Sequence, residues 1–484
     1  MKSFHWKIIL PLLVAIAIII LPVPQNLEQN AWYYFALFAS LIVALILEPI
    51  PAAAIGLIGV TLMAVLGNMT LFDAKQLADP AFKWPGEALK WALSGFASST
   101  LWLVFCAFTF GVGYEKTGLG RRIALALVKV LGSRTLGLGY AITLSDLILA
   151  PVTASSTARS GGTIFPIIRN IPGLYGSQPD QTARKIGSYI MWMAFAASCV
   201  TSSMFITSLA PNVLALELMK KTAKVDVTWT QWFVGFLPVG AILLAVLPFL
   251  IYKLYPPQIK DSHLVPIWAG EELDKIGKIT WQELVMATLV ILALALWIFG
   301  SGWVDATTVA LIIIALMVIT GIVKWDDILA NKPAWNVFIW VATLITLADG
   351  LNRVGFVTWF AHGAAALLTG LPPMVVMLVL VVIFFFVHYM FASVTAHTTA
   401  VLPVILAAGV AVPGMPVRVF ALLLVYSLGM MGVITPYASG PAPVYFGSGY
   451  VSRQAFWTLG LIFGLIFLAA LLMIGTPYLL AINP

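Results

Sequence analysis

Two short polar stretches interrupt long apolar segments of this chain, and both carry residue types suited to holding an anion. The first is Pro151-Val152-Thr153-Ala154-Ser155-Ser156-Thr157-Ala158-Arg159; the second is Ser393-Val394-Thr395-Ala396-His397-Thr398-Thr399. In each, a basic side chain follows the threonine by two residues. Where a helix begins at such a stretch, its unpaired N–H groups and the positive end of its dipole favour a carboxylate. Two such stretches facing one another would hold two carboxylates, one each. The plainer reading is that serine and threonine only bond back to the preceding helical turn. Recurrence at matched places argues for a ligand role, with Ser155, Ser156, Thr157, Ser393, Val394, Thr395 and Thr398 as the candidates.

Arg159 and His397 occupy equivalent positions. A cation at membrane depth is costly unless paired. The nearest acid to Arg159 is Asp146, and the second stretch has none nearby. The expected counter-charge of Arg159 is therefore a bound anion, the alternative being an internal pair with Asp146. His397 is either a neutral, hydrogen-bonded imidazole or a cation held by such an anion. His388, Tyr389 and Phe384-Phe385-Phe386 are expected to pack a helix face. Two further interruptions, Thr207-Ser208-Leu209-Ala210-Pro211-Asn212 and Thr435-Pro436-Tyr437-Ala438-Ser439-Gly440-Pro441, free backbone groups by proline and glycine. Thr207, Pro211, Asn212, Thr435, Pro436 and Ser439 complete the candidate set. No metal-ligand spacing, phosphate-cradling glycine loop or nucleophile–base pair is present, so no metal, cofactor or nucleotide and no enzymatic activity is expected.

The elements that must position these residues are membrane helices. Only 9% of the 484 residues are charged and 61% are hydrophobic. Soluble domains carry roughly 25% charged residues, so a solvated surface all round is excluded. Apolar runs predict eleven crossings near 8–23, 32–48, 52–67, 91–113, 187–215, 231–252, 282–300, 304–323, 335–350, 418–450 and 455–481. The segments 136–168 and 374–412, each broken midway by one of the polar stretches, read as re-entrant hairpins with those stretches at the tips. The first span, preceded by Lys2 and Lys7, lacks a small-residue cleavage site and is expected to remain. Cys106 and Cys199 match no redox or metal spacing. The net charge of +7 comes from scattered basic residues, most of them on one side of the predicted topology. That asymmetry points to a cytoplasmic N-terminus and an extracellular C-terminus rather than a nucleic-acid partner.

The hairpins lie five crossings apart and so enter from opposite sides, an inverted repeat. Trp102-Leu103-Val104-Phe105 answers to Trp335-Asn336-Val337-Phe338, and Ser-Ser-Thr-Ala-Arg at 155–159 to Ser-Val-Thr-Ala-His at 393–397. The expected organisation is an N-terminal span (1–30), a first repeat (31–255), a polar cytoplasmic linker (256–281) and a second repeat (282–484). Interrupted helices meeting near the midplane of inverted repeats are transporter architecture.

The tips, the Thr207 to Asn212 break and Gly447-Ser448-Gly449-Tyr450 resemble the divalent anion:sodium symporter family over essentially the whole chain. Members carry Ser-Asn-Thr at each tip; this chain has Ser155-Ser156-Thr157 and Ser393-Val394-Thr395, without the asparagines. Leu47-Glu48-Pro49-Ile50-Pro51, Gly118-Leu119-Gly120-Arg121-Arg122 and Ala396-His397-Thr398 look most like the exchanger branch, which includes 2-oxoglutarate/malate translocators and citrate/succinate antiporters. The resemblance implies a multi-pass, bacterial-type cytoplasmic-membrane protein, a homodimer, with a scaffold domain and a transport domain moving as an elevator. It implies dicarboxylate partners such as malate, succinate and 2-oxoglutarate. Fixed charge at Arg159 and His397 in place of the asparagines implies sodium independence. An empty carrier with unpaired cations would cross slowly and a loaded one easily, which is exchange. The alternatives are a Na⁺- or H⁺-coupled di- or tricarboxylate symporter and, more remotely, an inorganic oxyanion permease or anion channel.

Overall fold

The computed structural model describes residues 2–300, 302–368 and 370–483, and they are helical with short connections. In chain order the main helices are α1 (Lys2–Ile20), α2 (Gln29–Leu47), α3 (Ala52–Val65), α4 (Ser99–Thr117), α5 (Leu119–Leu131), α6 (Thr135–Leu149), α7 (Gly187–Met204), α8 (Ala210–Ala223), α9 (Trp229–Leu254), α10 (Leu264–Ile276), α11 (Trp281–Phe299), α12 (Ala306–Ile319), α13 (Lys332–Arg353), α14 (Phe356–Leu368), α15 (Pro373–Val387), α16 (Val394–Val410), α17 (Val417–Met430), α18 (Ala442–Gly447) and α19 (Arg453–Ala470). Capping starts several of them where the sequence allows. Thr228 and Gln231 form a reciprocal capping box at α9, and Thr280 and Glu283 do so at α11. Gly118, at φ +75, ends α4 in the left-handed conformation that glycine adopts without a steric penalty.

Helix–turn–helix units lie where the two hairpins are expected, although their first arms, Thr135–Val152 and Pro373–Met390, are each long and apolar enough to span. In the first, α6 runs into a tip at 150–156 and returns through Thr157–Ile164 and Phe165–Ile168. The stretch Thr157–Ile164 is π-helical, a form common at functional sites, and it contains Gly161-Gly162. In the second, α15 and α16 pack together as arms, with the tip at 388–393. Both expected breaks are also present. Residues 205–209 separate α7 from α8, and 434–441 separate α17 from α18.

The count of eleven crossings does not carry over as eleven spanning helices. Among the described residues seven helices are long and apolar enough to cross, or eight if the bent pair Trp84–Ala97 and Ser99–Thr117 is taken as one. The shortfall has identifiable causes. The runs 187–215 and 418–450 are split by their own proline and glycine breaks, and α3 and α12 have 14 residues each. The arms of the hairpins, in contrast, are extended by 3₁₀ turns at Ala150–Val152 and His388–Met390.

The helices pack in two groups. In one, α13 lies against α3 and α4, with α12 on α4 and α11 on α12. In the other, α7 is central, packed against α6, α9 and α17, while α17 holds both arms of the second hairpin. α7 is buried along its whole length, so the hairpins and breaks gather around an interior helix. α8 touches both groups, meeting α16 and α17 on one side and α4 and α13 on the other.

Candidate functional site

Each tip begins its return arm with a serine cap. Ser155 Oγ accepts from Ala158 N–H at 3.1 Å, and Ser393 Oγ accepts from Ala396 N–H at 3.5 Å. The correspondence of 155 with 393 is thus geometric as well as sequential. Ser156 and Val394, the next residue of each tip, line the same small gap together with Leu209 of the first break and Ser439 and Pro441 of the second. Both tips and both breaks therefore converge on one place. The gap measures about 10 Å³, room for about one water at most, so no dicarboxylate fits it as it stands.

Room for a ligand lies beside it. A cavity of 1120 Å³ runs from the first tip, along Ser155, Thr157, Gly161, Gly162 and Thr163, to α10 of the polar linker at Trp268 and Glu272. Its lining includes an ion pair, Arg121 to Glu272 at 2.7 Å. Thr157 is exposed to this space, and its hydroxyl lies so close to Gly440 that a Cβ there would sit 1.9 Å from it. The glycine of the second break is thus the seat of the first tip. Ser160 and Tyr445 of α18 hold the same contact, oxygen to oxygen, at 2.7 Å. Asn170 and Asn331 also line the cavity; Asn331 caps α13, accepting from Ala334 N–H at 3.3 Å, a helix-start signal that does not by itself point to a ligand.

The second tip faces elsewhere. Ser393, Thr395 and Thr399 border a separate 140 Å³ gap against Glu48, Ala52 and Trp340. The two tips therefore do not share one large cavity in this conformation.

Arg159 is where the structure departs most from expectation. Its side chain is wholly buried, with Nε 3.2 Å from Asp146 Oδ2 on the facing arm. Nη1 donates to the carbonyls of Thr153 (3.0 Å) and Ser208 (2.9 Å), and Nη2 donates to the hydroxyls of Ser202 (3.0 Å) and Thr201 (3.3 Å). Asp146 supplies the counter-charge, so no bound anion is needed to explain this cation. A buried charge is costly unless it is paired and hydrogen-bonded. Every N–H of the guanidinium has an acceptor here, and Asp146 engages through Oδ2 while its buried Oδ1 has no partner. Exchange consequently cannot be argued from an unpaired Arg159.

His397 also faces neither cavity. Its ring sits between Phe384 (4.4 Å), His388 (5.0 Å) and Phe391 (5.2 Å), and neither nitrogen has a partner. In the tip register Phe384 stands where Asp146 stands in the first hairpin, which is why this basic residue has no carboxylate to meet.

The remaining candidates are mostly structural ties. Thr207 donates to the Pro151 carbonyl and accepts from Trp229 Nε1 at 3.2 Å, joining the first break to the first tip. Asn212 donates to the carbonyls of Ser202 and Phe205, leaving its own buried oxygen unpartnered. Pro211 is buried at the start of α8, and Pro436 is half-buried. Thr398 and Thr399 bond back one turn, to Val394 and Thr395, as their type favours in a helix. Thr435 accepts from Tyr437 N–H at 3.4 Å, and Ser439 donates to the Gly432 carbonyl at 3.2 Å.

Residues 2–482 match the family model described as sodium:sulfate symporter transmembrane region. The chain is 50% identical over 471 residues to the L-tartrate/succinate antiporter of Escherichia coli K12, covering 97% of each. It is also 50% identical over 479 residues to the citrate/succinate antiporter of the same organism, covering 99% of this chain and 98% of that one. Among solved structures, the Alcanivorax borkumensis YdaH transporter shares the fold at a TM-score of 0.60 and 16% identity, over 93% of this chain and 98% of that one. Neisseria gonorrhoeae MtrF, described with a class of antimetabolite efflux pumps, does so at 0.57 and 13%, over 93% and 95%.

Proposed function

The chain belongs to the sodium:sulfate symporter (divalent anion:sodium symporter) family of membrane transporters, and from that membership we propose that it is an antiporter of small dicarboxylates. Succinate is its first substrate on this reading, with malate and 2-oxoglutarate as further C4–C5 candidates. The carrying observation is half-identity over nearly the full length to two antiporters named for succinate exchange. The geometry supports it. The hydroxyl face of the first tip, Ser155 and Thr157, borders a cavity large enough for such an anion.

In the mechanism proposed, α6–α9 and α15–α19 move as a transport unit against a scaffold built on α3, α4 and α11–α13, within a homodimer. The cavity reaches the linker; with the linker in the cytoplasm, as this mechanism has it, the conformation faces inward. Tip 1 binds one carboxylate. The second carboxylate reaches the tip-2 side as the gap between Ser156 and Val394 widens. Arg159, with Asp146, holds the first tip to the first break. A fixed guanidinium among those carbonyls and hydroxyls leaves no place for a metal cation there, which supports sodium-independent exchange.

Counterflow tests the reading. Purified protein in liposomes receives labelled external succinate in sodium-free buffer, with or without internal succinate, malate or 2-oxoglutarate. Uptake that requires internal dianion and ignores sodium is the expected result. Uptake into empty vesicles under a sodium gradient replaces it with the symporter that the family description names.

A further inference from the structure

His388 ends α15 inside the second hairpin and is wholly buried. Its Nε2 lies 2.8 Å from the carbonyl oxygen of Ala438, in the unwound segment between α17 and α18. A carbonyl only accepts, so the proton sits on Nε2. The first hairpin makes the same kind of contact with the first break, Arg159 Nη1 to the Ser208 carbonyl at 2.9 Å. In each half, then, one buried basic side chain of the hairpin holds one carbonyl of the neighbouring broken helix. By tip register the counterpart of Arg159 is His397, but that ring makes no hydrogen bond. The contact has passed to the other arm of the hairpin.

What His388 holds matters for the first tip. Ala438 is two residues from Gly440, on which Thr157 rests, and Ser439 and Pro441 line the gap beside Ser156. We infer that His388 is a positioning residue for the transport site: through its Nε2–H bond to the Ala438 carbonyl it fixes the segment that seats Thr157, and it takes in the second half the part Arg159 takes in the first. It acts through that backbone and touches no substrate. The inference rests on the exchange reading for its transport test, and a substrate-free measurement makes the two separable.

The test compares His388→Phe, which fills the space without a donor, with His388→Gln, whose amide nitrogen reaches the place of Nε2, and with the shorter His388→Asn. In succinate counterflow, normalised to protein amount, His388→Phe and His388→Asn are expected to raise KM roughly tenfold with a smaller effect on the maximal rate, the scale of one lost buried hydrogen bond. His388→Gln is expected to stay within about threefold of wild type. Hydrogen exchange over 434–441 without any substrate is expected to speed up in His388→Phe and not in His388→Gln. A wild-type KM in His388→Phe, or a Gln variant as poor as Phe or Asn, overturns the inference. Unchanged hydrogen exchange over 434–441 overturns it as well. Absence of counterflow in the wild type would overturn the exchange reading alone, leaving the hydrogen-exchange measurement to decide on His388. Should His388→Phe not accumulate, the contrast between Gln and Asn decides the role of His388 in the same way.

Discussion

The guanidinium of Arg159 stands 3.2 Å from the carboxylate of Asp146 across the first hairpin, with both side chains inaccessible to solvent. The pair ties tip to arm and, through the Ser208 carbonyl, arm to broken helix. Removing one member leaves the other as an unpaired buried charge, which typically costs about 3–5 kcal/mol. Arg159→Met and Asp146→Leu are each expected to lose most folded protein. The double variant is expected to be less destabilised than the sum of the two, as thermal unfolding in detergent would register. Additive losses would mean the pair is not coupled.

Gly440 should tolerate no side chain while Thr157 keeps its hydroxyl. An added Cβ would meet Oγ1 at 1.9 Å, whereas the Thr157 Cβ lies at 3.2 Å. Gly440→Ala is therefore expected to abolish succinate uptake, and Gly440→Ala with Thr157→Ala to recover monodisperse protein, assessed by size-exclusion chromatography. Normal uptake by the single variant would show that the tip does not rest on this glycine.

Two polar ties join α8 to the other helix group. Glu217 accepts from Ser98 at 3.0 Å and from Thr100, and Lys221 pairs with Asp349 of α13 at 3.2 Å. If the groups slide past one another during transport, these ties exist in one state only. A short, cleavable bis-thiol cross-linker joining Ser98→Cys and Glu217→Cys is then expected to stop uptake, and its cleavage to restore it. Full activity of the cross-linked protein would exclude such a slide at this interface.

The linker pair offers a pH test. The hydrogen bond from Lys275, then the charges of Lys275 and Arg121, holds Glu272 below the usual glutamate value. A carboxylate with a depressed folded pKa stabilises above its unfolded value and loses that contribution as pH falls through the folded one. Docking of α10 on α5 is thus expected to loosen in acid, below the ordinary glutamate range. Hydrogen exchange over 264–276 should show the loosening in the wild type, and Glu272→Gln should remove the pH dependence.

Much of this architecture is legible in one dimension. Apolar run lengths mark the helices, and Pro211, Pro436 and Gly440 mark the breaks. The hydroxyl clusters at 155–157 and 393–395 mark the tips, because a polar run inside an apolar one is tolerated only at a buried turn. Even the matching of Ser155 with Ser393 follows from spacing. What the spacing of residues determined, then, is which segments are apolar helices and where they turn back and unwind. Tertiary structure alone decided which groups satisfy one another. Asp146 rather than a ligand answers Arg159, His388 rather than His397 holds a carbonyl, and Gly440 seats a threonine 283 positions before it. Hydropathy and turn signals depend on neighbours along the chain. Pairing of buried polar groups depends on rotamers and on contacts between distant helices, and a buried donor bonds to whichever acceptor packing brings within about 3 Å.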